Sequence, residues 1–161
     1  MGPPYKIDDW QSAAAEKRKA LRDSIPKSHL LPAELASKAE NGELLPSDKA
    51  ILASGVLSPL DLEITDIDDA ALIVERVASK RYTAVQVAEA FCKRASIVQQ
   101  TANCLTVTMY KQAFERARWL DEYMEKEGKP VGILHGLPVS LKVGFIPLPH
   151  RPSRILRSQP D

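Results

Sequence analysis

Residues 83–99 constrain the fold more than any other stretch of the chain. Thr83 stands where a helix N-cap belongs, and Gln86, three places on, can return the bond. Val85, Val87, Ala88, Phe91, Ala95 and Val98 then recur at helical spacing and form a broad apolar face. A helix that is apolar over so wide an arc has to be covered by other elements. The flanking patterns supply them. Leu72, Val74 and Val77 predict a helix over 68–79. Ala113, Phe114, Ala117, Leu120 and Met124 predict another over 111–126, ended by Gly128.

Upstream the signals are thinner. Asp8 can cap a helix running to about Ser24, with Gln11 as its capping partner and Pro26 as its stop. Its apolar stripe is narrow: Trp10, Ala13, Ala14, the stem of Lys17, and Leu21. Short helices are expected over 33–40 and 48–54, the second capped by Ser47 and ended by Gly55. The stretch through Pro59 reads as a loop. Residues 104–109 are β-branched and alternating, which predicts a short strand. Gly132, Gly136 and Pro138 make a turn, and 138–142 then reads as a short apolar strand that carries Lys142 at its end. The tail, 143–161, holds Pro147, Pro149, Pro152 and Pro160 with Arg151, Arg154 and Arg157 and has neither period. It reads as unstructured.

Composition removes several classes of function. The chain has 161 residues, 44% hydrophobic and 27% charged, with a net charge of +1. Basic and acidic residues are interspersed, so no nucleic-acid partner is expected. No apolar run approaches the roughly 20 residues of a membrane span, and 1–10 lacks a basic-then-apolar leader. No membrane partner is expected, and the cytoplasm is the expected compartment. Cys92 and Cys104 lack metal-ligand spacing, and no histidine cluster accompanies them, so neither a metal nor a cofactor is expected. Cys92 falls within an apolar helical pattern and reads as a small buried hydrophobe. His29 and His150 lie in irregular segments. Asp66, Asp68 and Asp69 read as acids favoured at a helix start. His135, beside Gly136 in a turn, reads as a structural hydrogen-bonding histidine rather than a substrate contact.

Lys142 is the residue with the most chemistry open to it. A strand-end lysine commonly points to solvent, but one that is desolvated loses basicity and can serve as a general base. The stretch 132–142, Gly-Ile-Leu-His-Gly-Leu-Pro-Val-Ser-Leu-Lys, resembles the lysine motif of the amidase-signature family in its acetamidase-like form. Residues 83–94, 103–106 and 111–123 resemble the elements that precede that motif, and 8–32 resembles the acetamidase-like N-terminal helix. The resemblance covers about 8–142. It implies an α/β amidase-signature fold, of which this chain holds a mostly α-helical part with about two short strands. It implies three regions: an N-terminal helical extension over 1–65, the start of the amidase-signature domain over 66–142, and an unrelated tail over 143–161. It also implies a small carboxylic amide as substrate of the full-length relative, and a mechanism in which a lysine works through a cis-peptide serine on a nucleophilic serine. Lys142 matches the lysine; Ser140, inside the motif, matches neither serine.

The resemblance stops at Lys142. Val143 stands where the family usually has Asp, and the 19 residues after Lys142 hold no Gly-Gly-Ser cluster. The chain is therefore expected to be a truncated amidase, inactive alone. Val143-Gly144 can be encoded by a sequence resembling a eukaryotic splice donor, so the tail is expected to be retained intron or a frameshift, the alternative being an evolved short paralogue. A part of an α/β fold leaves apolar faces uncovered, so self-association through an exposed core is expected. The second reading is a helical interaction module that pairs with a full-length amidase.

Overall fold

The computed structural model describes residues 10–44 and 49–141. Seven α-helices occur among them: α1 Trp10–Asp23, α2 Ala33–Glu40, α3 Lys49–Leu52, α4 Pro59–Thr65, α5 Ala70–Ala78, α6 Ala84–Ala102 and α7 Tyr110–Glu127, with a 3-10 turn at Lys27–His29.

α6 starts where Thr83 predicts. The Thr83 hydroxyl accepts the Gln86 N–H at 3.0 Å, and the Gln86 side chain accepts the Thr83 N–H at 2.9 Å. The two N–H groups between them are taken by α7: the Asp121 carboxylate accepts Ala84 N–H at 2.6 Å and Val85 N–H at 3.0 Å. The helix runs three residues beyond the expected Gln99 and ends on Asn103, which is left-handed at φ 47°. Two apolar clusters share α6. The first gathers Ile64, Ile73, Val77, Val87, Ala117 and Leu120 from α4, α5, α6 and α7. The second gathers Leu31, Ile51, Val56, Leu57 and Ile97 toward the other end of α6. α6 is thus buried by elements drawn from both sides of residue 66.

α4 starts at Pro59, where the expected loop ends, and occupies 60–65, to which the sequence pattern assigns no element. Its signal is local: Ser58 caps, Pro59 occupies the first turn, and Asp61 closes a capping box. Proline disfavours a helix interior but suits its first position, because the missing N–H would be unpaired there anyway. Asp61 also reaches α6. Its Oδ2 accepts from Ser58 N–H at 2.8 Å, the Ser58 hydroxyl at 2.7 Å and Lys93 Nζ at 2.8 Å. The Asp61 and Lys93 side chains are only 7% and 14% exposed. Burial disfavours the Asp61 carboxylate, but Lys93 and Ser58 outweigh it and hold the carboxyl below its ordinary value.

A second polar joint ties the N-terminal segment to α6. His29 is buried, with Nδ1 3.2 Å from the Ser96 hydroxyl. The Gln100 amide donates to His29 O at 2.9 Å and accepts Leu31 N–H at 3.0 Å. α1 forms as expected, yet its stripe is barely used: Leu21 is buried, and Trp10 stays 63% exposed.

The two expected strands are corrected by the structure. Among the described residues there is no strand, and neither 104–109 nor 138–141 joins a ladder. A strand exists only by pairing, and these segments find no partner here. Leu105 N–H is taken instead by the Gln99 side chain at 2.7 Å, and the Thr108 hydroxyl meets Ser24 Oγ at 2.6 Å. The tail 143–161 lies outside the described residues.

Two outcomes follow. Lys93→Met leaves Asp61 without its cation in a largely dry site and should lower stability by roughly 3 kcal/mol in urea unfolding; a loss within error of zero would show that the pair does not hold α4 to α6. The His29 imidazole is kept below its ordinary 6.5 by burial, assisted by Lys93 and opposed by Glu89 and Asp61. The unfolded chain takes up a proton near that pH which the folded chain refuses, so stability should fall as pH drops below 6.5. The Asp61 contribution goes separately, below its ordinary 3.8. Unfolding midpoints of the parent and His29→Gln across pH 7 to 5 should converge as the pH falls, and parallel curves would contradict this.

Candidate functional site

The stretch 132–142 follows closely on the end of α7. The Gly128 N–H bonds to Met124 O at 3.0 Å, and Gly128 adopts φ 68°, a left-handed cap that turns the chain back. Residues 131–137 then fold into a compact turn against α5 and α6. His135 N–H bonds to Gly132 O at 3.1 Å, and Leu137 N–H to Leu134 O at 3.2 Å. The His135 side chain is buried, 2% exposed, and its Nδ1 accepts Val131 N–H at 3.1 Å. It therefore staples the turn from within, as a structural histidine should. An accepting Nδ1 fixes the neutral tautomer with the proton on Nε2. That Nε2 has no hydrogen-bond partner among the described residues. Burial lowers the basicity of this imidazole; Arg116 acts in the same direction, and Asp121 opposes it.

Gly136 brings the turn into contact with the core. Its φ is 79°, and a Cβ there would lie 2.8 Å from Val77 Cγ1 and 3.4 Å from Ala84 Cβ. Val77 is itself buried in the first cluster and cannot give way. Glycine is thus required twice, for the backbone sign and for the close approach. Leu137 packs on the same cluster. Beyond it the chain leaves the core: Val139 and Leu141 are 70% and 66% exposed, and Ser140 is exposed as well. The structure so fixes the start of the segment that leads to Lys142. Lys142 itself lies outside the described residues, as does His150.

The remaining candidates are dispersed. Asp69 caps α5, accepting Ala71 N–H at 2.8 Å, while Asp66 pairs with Arg94 where α4 ends. Among the described residues, no three potential metal ligands gather. Cys92 and Cys104 are unpaired. Cys92 is buried, and desolvation, with Glu89 adding, pushes its thiol up to about 11, so it is chemically quiet. The sequence reading missed Asp121 as the tertiary cap of α6. Its signal was an acid on the otherwise apolar side of the 111–126 helix.

The Amidase family profile matches residues 86–143, a span that takes in most of α6, all of α7, the His135 turn and the position of Lys142. Fungal amidases align over most of the chain. The chain belongs to the amidase family. It is 41% identical over 134 residues to an amidase of Gibberella moniliformis, covering 83% of this chain and 25% of that one. It is 43% identical over 137 residues to the acetamidase of Emericella nidulans, covering 83% and 23%. Among solved structures it resembles a fatty acid amide hydrolase, with TM-score 0.66 and 27% identity over 80% of this chain and 22% of that chain. The helical arrangement around α6 is therefore one found in an amidase-family enzyme. The chain spans about a quarter of the length of the curated relatives it matches.

The two left-handed glycines of this region separate the two demands made on such a residue. Gly128→Ala meets no atom within 4 Å and carries only the backbone penalty, about 1 kcal/mol. Gly136→Ala adds the collision with Val77 and should cost roughly 2–4 kcal/mol. Equal losses in thermal unfolding would show that the turn does not press on α5.

Proposed function

We propose that these residues form the N-terminal layer of an amide carbon–nitrogen hydrolase of the acetamidase-like branch, with small carboxylic amides as substrates. The observation that supports this most is the coincidence of the family match, 86–143, with a turn that the structure pins to the core immediately before Lys142. The printed names of the relatives point the same way: two of them are acetamidases.

Lys142 is the general base of this reading, on the resemblance of 132–142 to the lysine motif. It takes a proton from a nucleophilic serine through a second serine held in a cis peptide. The nucleophile attacks the amide carbonyl, the amine departs, and water releases the acid from the acyl-enzyme. Backbone N–H groups near the serines hold the oxyanion. The chemistry uses side chains and water alone and takes place in the cytoplasm. A lysine can act as base only if desolvation or neighbouring charge lowers its basicity. Its neighbour Leu141 is 66% exposed. The 161 residues by themselves should leave amides intact.

Residues 10–142 exchanged for the matching part of the Emericella nidulans acetamidase should yield an enzyme that releases ammonia from acetamide. Lys142→Ala in that chimera should lower kcat by about a thousandfold with a much smaller change in KM. A folded chimera that is inactive, or one indifferent to Lys142→Ala, would refute the assignment. The isolated chain should give no ammonia above the buffer rate.

A further inference from the structure

The chain has two asparagines, Asn41 and Asn103, and their surroundings differ. Asn103 ends α6 at φ 47°, and its side-chain oxygen accepts from the Gln99 amide at 2.8 Å. Cys104 follows it, so the next backbone nitrogen is flanked by a Cβ. Asn41 ends α2, is exposed, and donates from Nδ2 to the exposed Glu43 at 3.2 Å. Gly42 follows it. Gly42 is also exposed, and a Cβ built on it would meet nothing within 4 Å among the described residues. A nitrogen that belongs to glycine approaches the preceding side-chain carbonyl with the least steric obstruction.

The closed cap does not itself react. Asn41 has ψ −2°, a helical value that keeps the Gly42 nitrogen out of the plane of ring closure, and the Gly42 N–H is held by Ala39 O at 3.0 Å. Two further bonds hold the cap: Asn41 N–H to Ser37 O at 3.2 Å and Glu43 N–H to Lys38 O at 2.9 Å. α2 is only 8 residues long, and Glu40 to Glu43 are all exposed, so this end opens at little cost.

We infer that Asn41–Gly42 is a site of spontaneous covalent modification, and that the modification loosens α2 as the protein ages. In the opened cap the Gly42 nitrogen loses its proton to hydroxide and bonds to Asn41 Cγ. The Cγ–Nδ2 bond breaks, and the side-chain nitrogen takes a proton from water and leaves as ammonia. The cyclic imide then takes up water at one of its two carbonyls and opens to aspartate or isoaspartate. One ammonia is released per chain, with or without an added amide, so the reaction is stoichiometric and distinct from turnover. Either product sets a new carboxylate between Glu40 and Glu43, at a helix end that already carries partial negative charge. Isoaspartate also adds a methylene to the main chain and moves the cap donors away from Ser37, Lys38 and Ala39. The contacts at risk are those that seat α2: Leu35 and Ala36 pack on the cluster of Leu31 and Ile97, and Ala39 is 4% exposed.

The test incubates the 161-residue chain at mildly alkaline pH and follows both asparagines by peptide mass spectrometry. Asn41 should convert to the acid at least about tenfold faster than Asn103 in the folded chain. In urea it should convert faster still, because the cap no longer restrains it. Gly42→Ala, and Asn41→Gln, which demands a larger ring, should each slow conversion at position 41 by about tenfold or more. Converted protein should exchange its amide hydrogens faster over 33–40 than fresh protein, with 84–102 unchanged, and Asn41→Gln kept for the same time should not. Equal conversion at Asn41 and Asn103, or an Asn41 that stays intact in the folded chain while the unfolded chain converts, overturns the site. Unchanged exchange over 33–40 in the converted protein overturns the loosening of α2.

Discussion

The start of α6 is the point on which the other contacts depend. A helix begins with N–H groups that have no partner within it, and a buried helix end cannot leave them to solvent. Here the capping box of Thr83 and Gln86 takes two, and Asp121 of α7 takes the two between. The Asp121 contact makes the cap tertiary: α6 cannot be satisfied unless α7 lies beside it. That pairing positions Ala84 and, with α5, Val77, the two side chains against which Gly136 is pressed. The geometry of the lysine turn therefore descends from the capping of a helix about fifty residues upstream.

Away from that end, buried polar groups decide where the weaker elements attach. α4 is seven residues long and cannot hold itself as a helix. Its capping acid, Asp61, spends its remaining acceptor capacity on Lys93 of α6, so one carboxylate both starts the helix and docks it. Gln100 does the same for the N-terminal segment, bonding the backbone at His29 and Leu31. Such groups carry little net stability when intact and cost much when one partner is lost, which makes them selectors of arrangement.

These features differ in how legible they were in the sequence. The α6 box was readable because both partners sit three residues apart and the apolar face follows at once. The α4 box was equally local, but Pro59 reads as the end of a loop rather than the first turn of a helix, which leaves 60–65 unassigned in the sequence. Asp121 left only the trace of an acid on the apolar side of its helix, and Lys93 could not be read, since a charged residue on a helix looks solvated until its partner in another element is known. Gly136 was readable as a turn former, whereas its approach to Val77 was not, because sequence carries no distance. The strand expectations for 104–109 and 138–142 were sound as propensity and failed as structure among the described residues: propensity is a property of a segment, and a strand is a property of a pair.

That last distinction bears on the chemistry. A lysine base is made by its surroundings, since the residue itself is protonated at neutral pH. This chain supplies a rigid approach to Lys142: a glycine pressed on Val77, a histidine stapling the turn, and Leu137 seated in the core. It leaves the last turn of that approach, Val139 to Leu141, in water. On the function proposed above, a lysine base needs surroundings drier than these exposed positions offer.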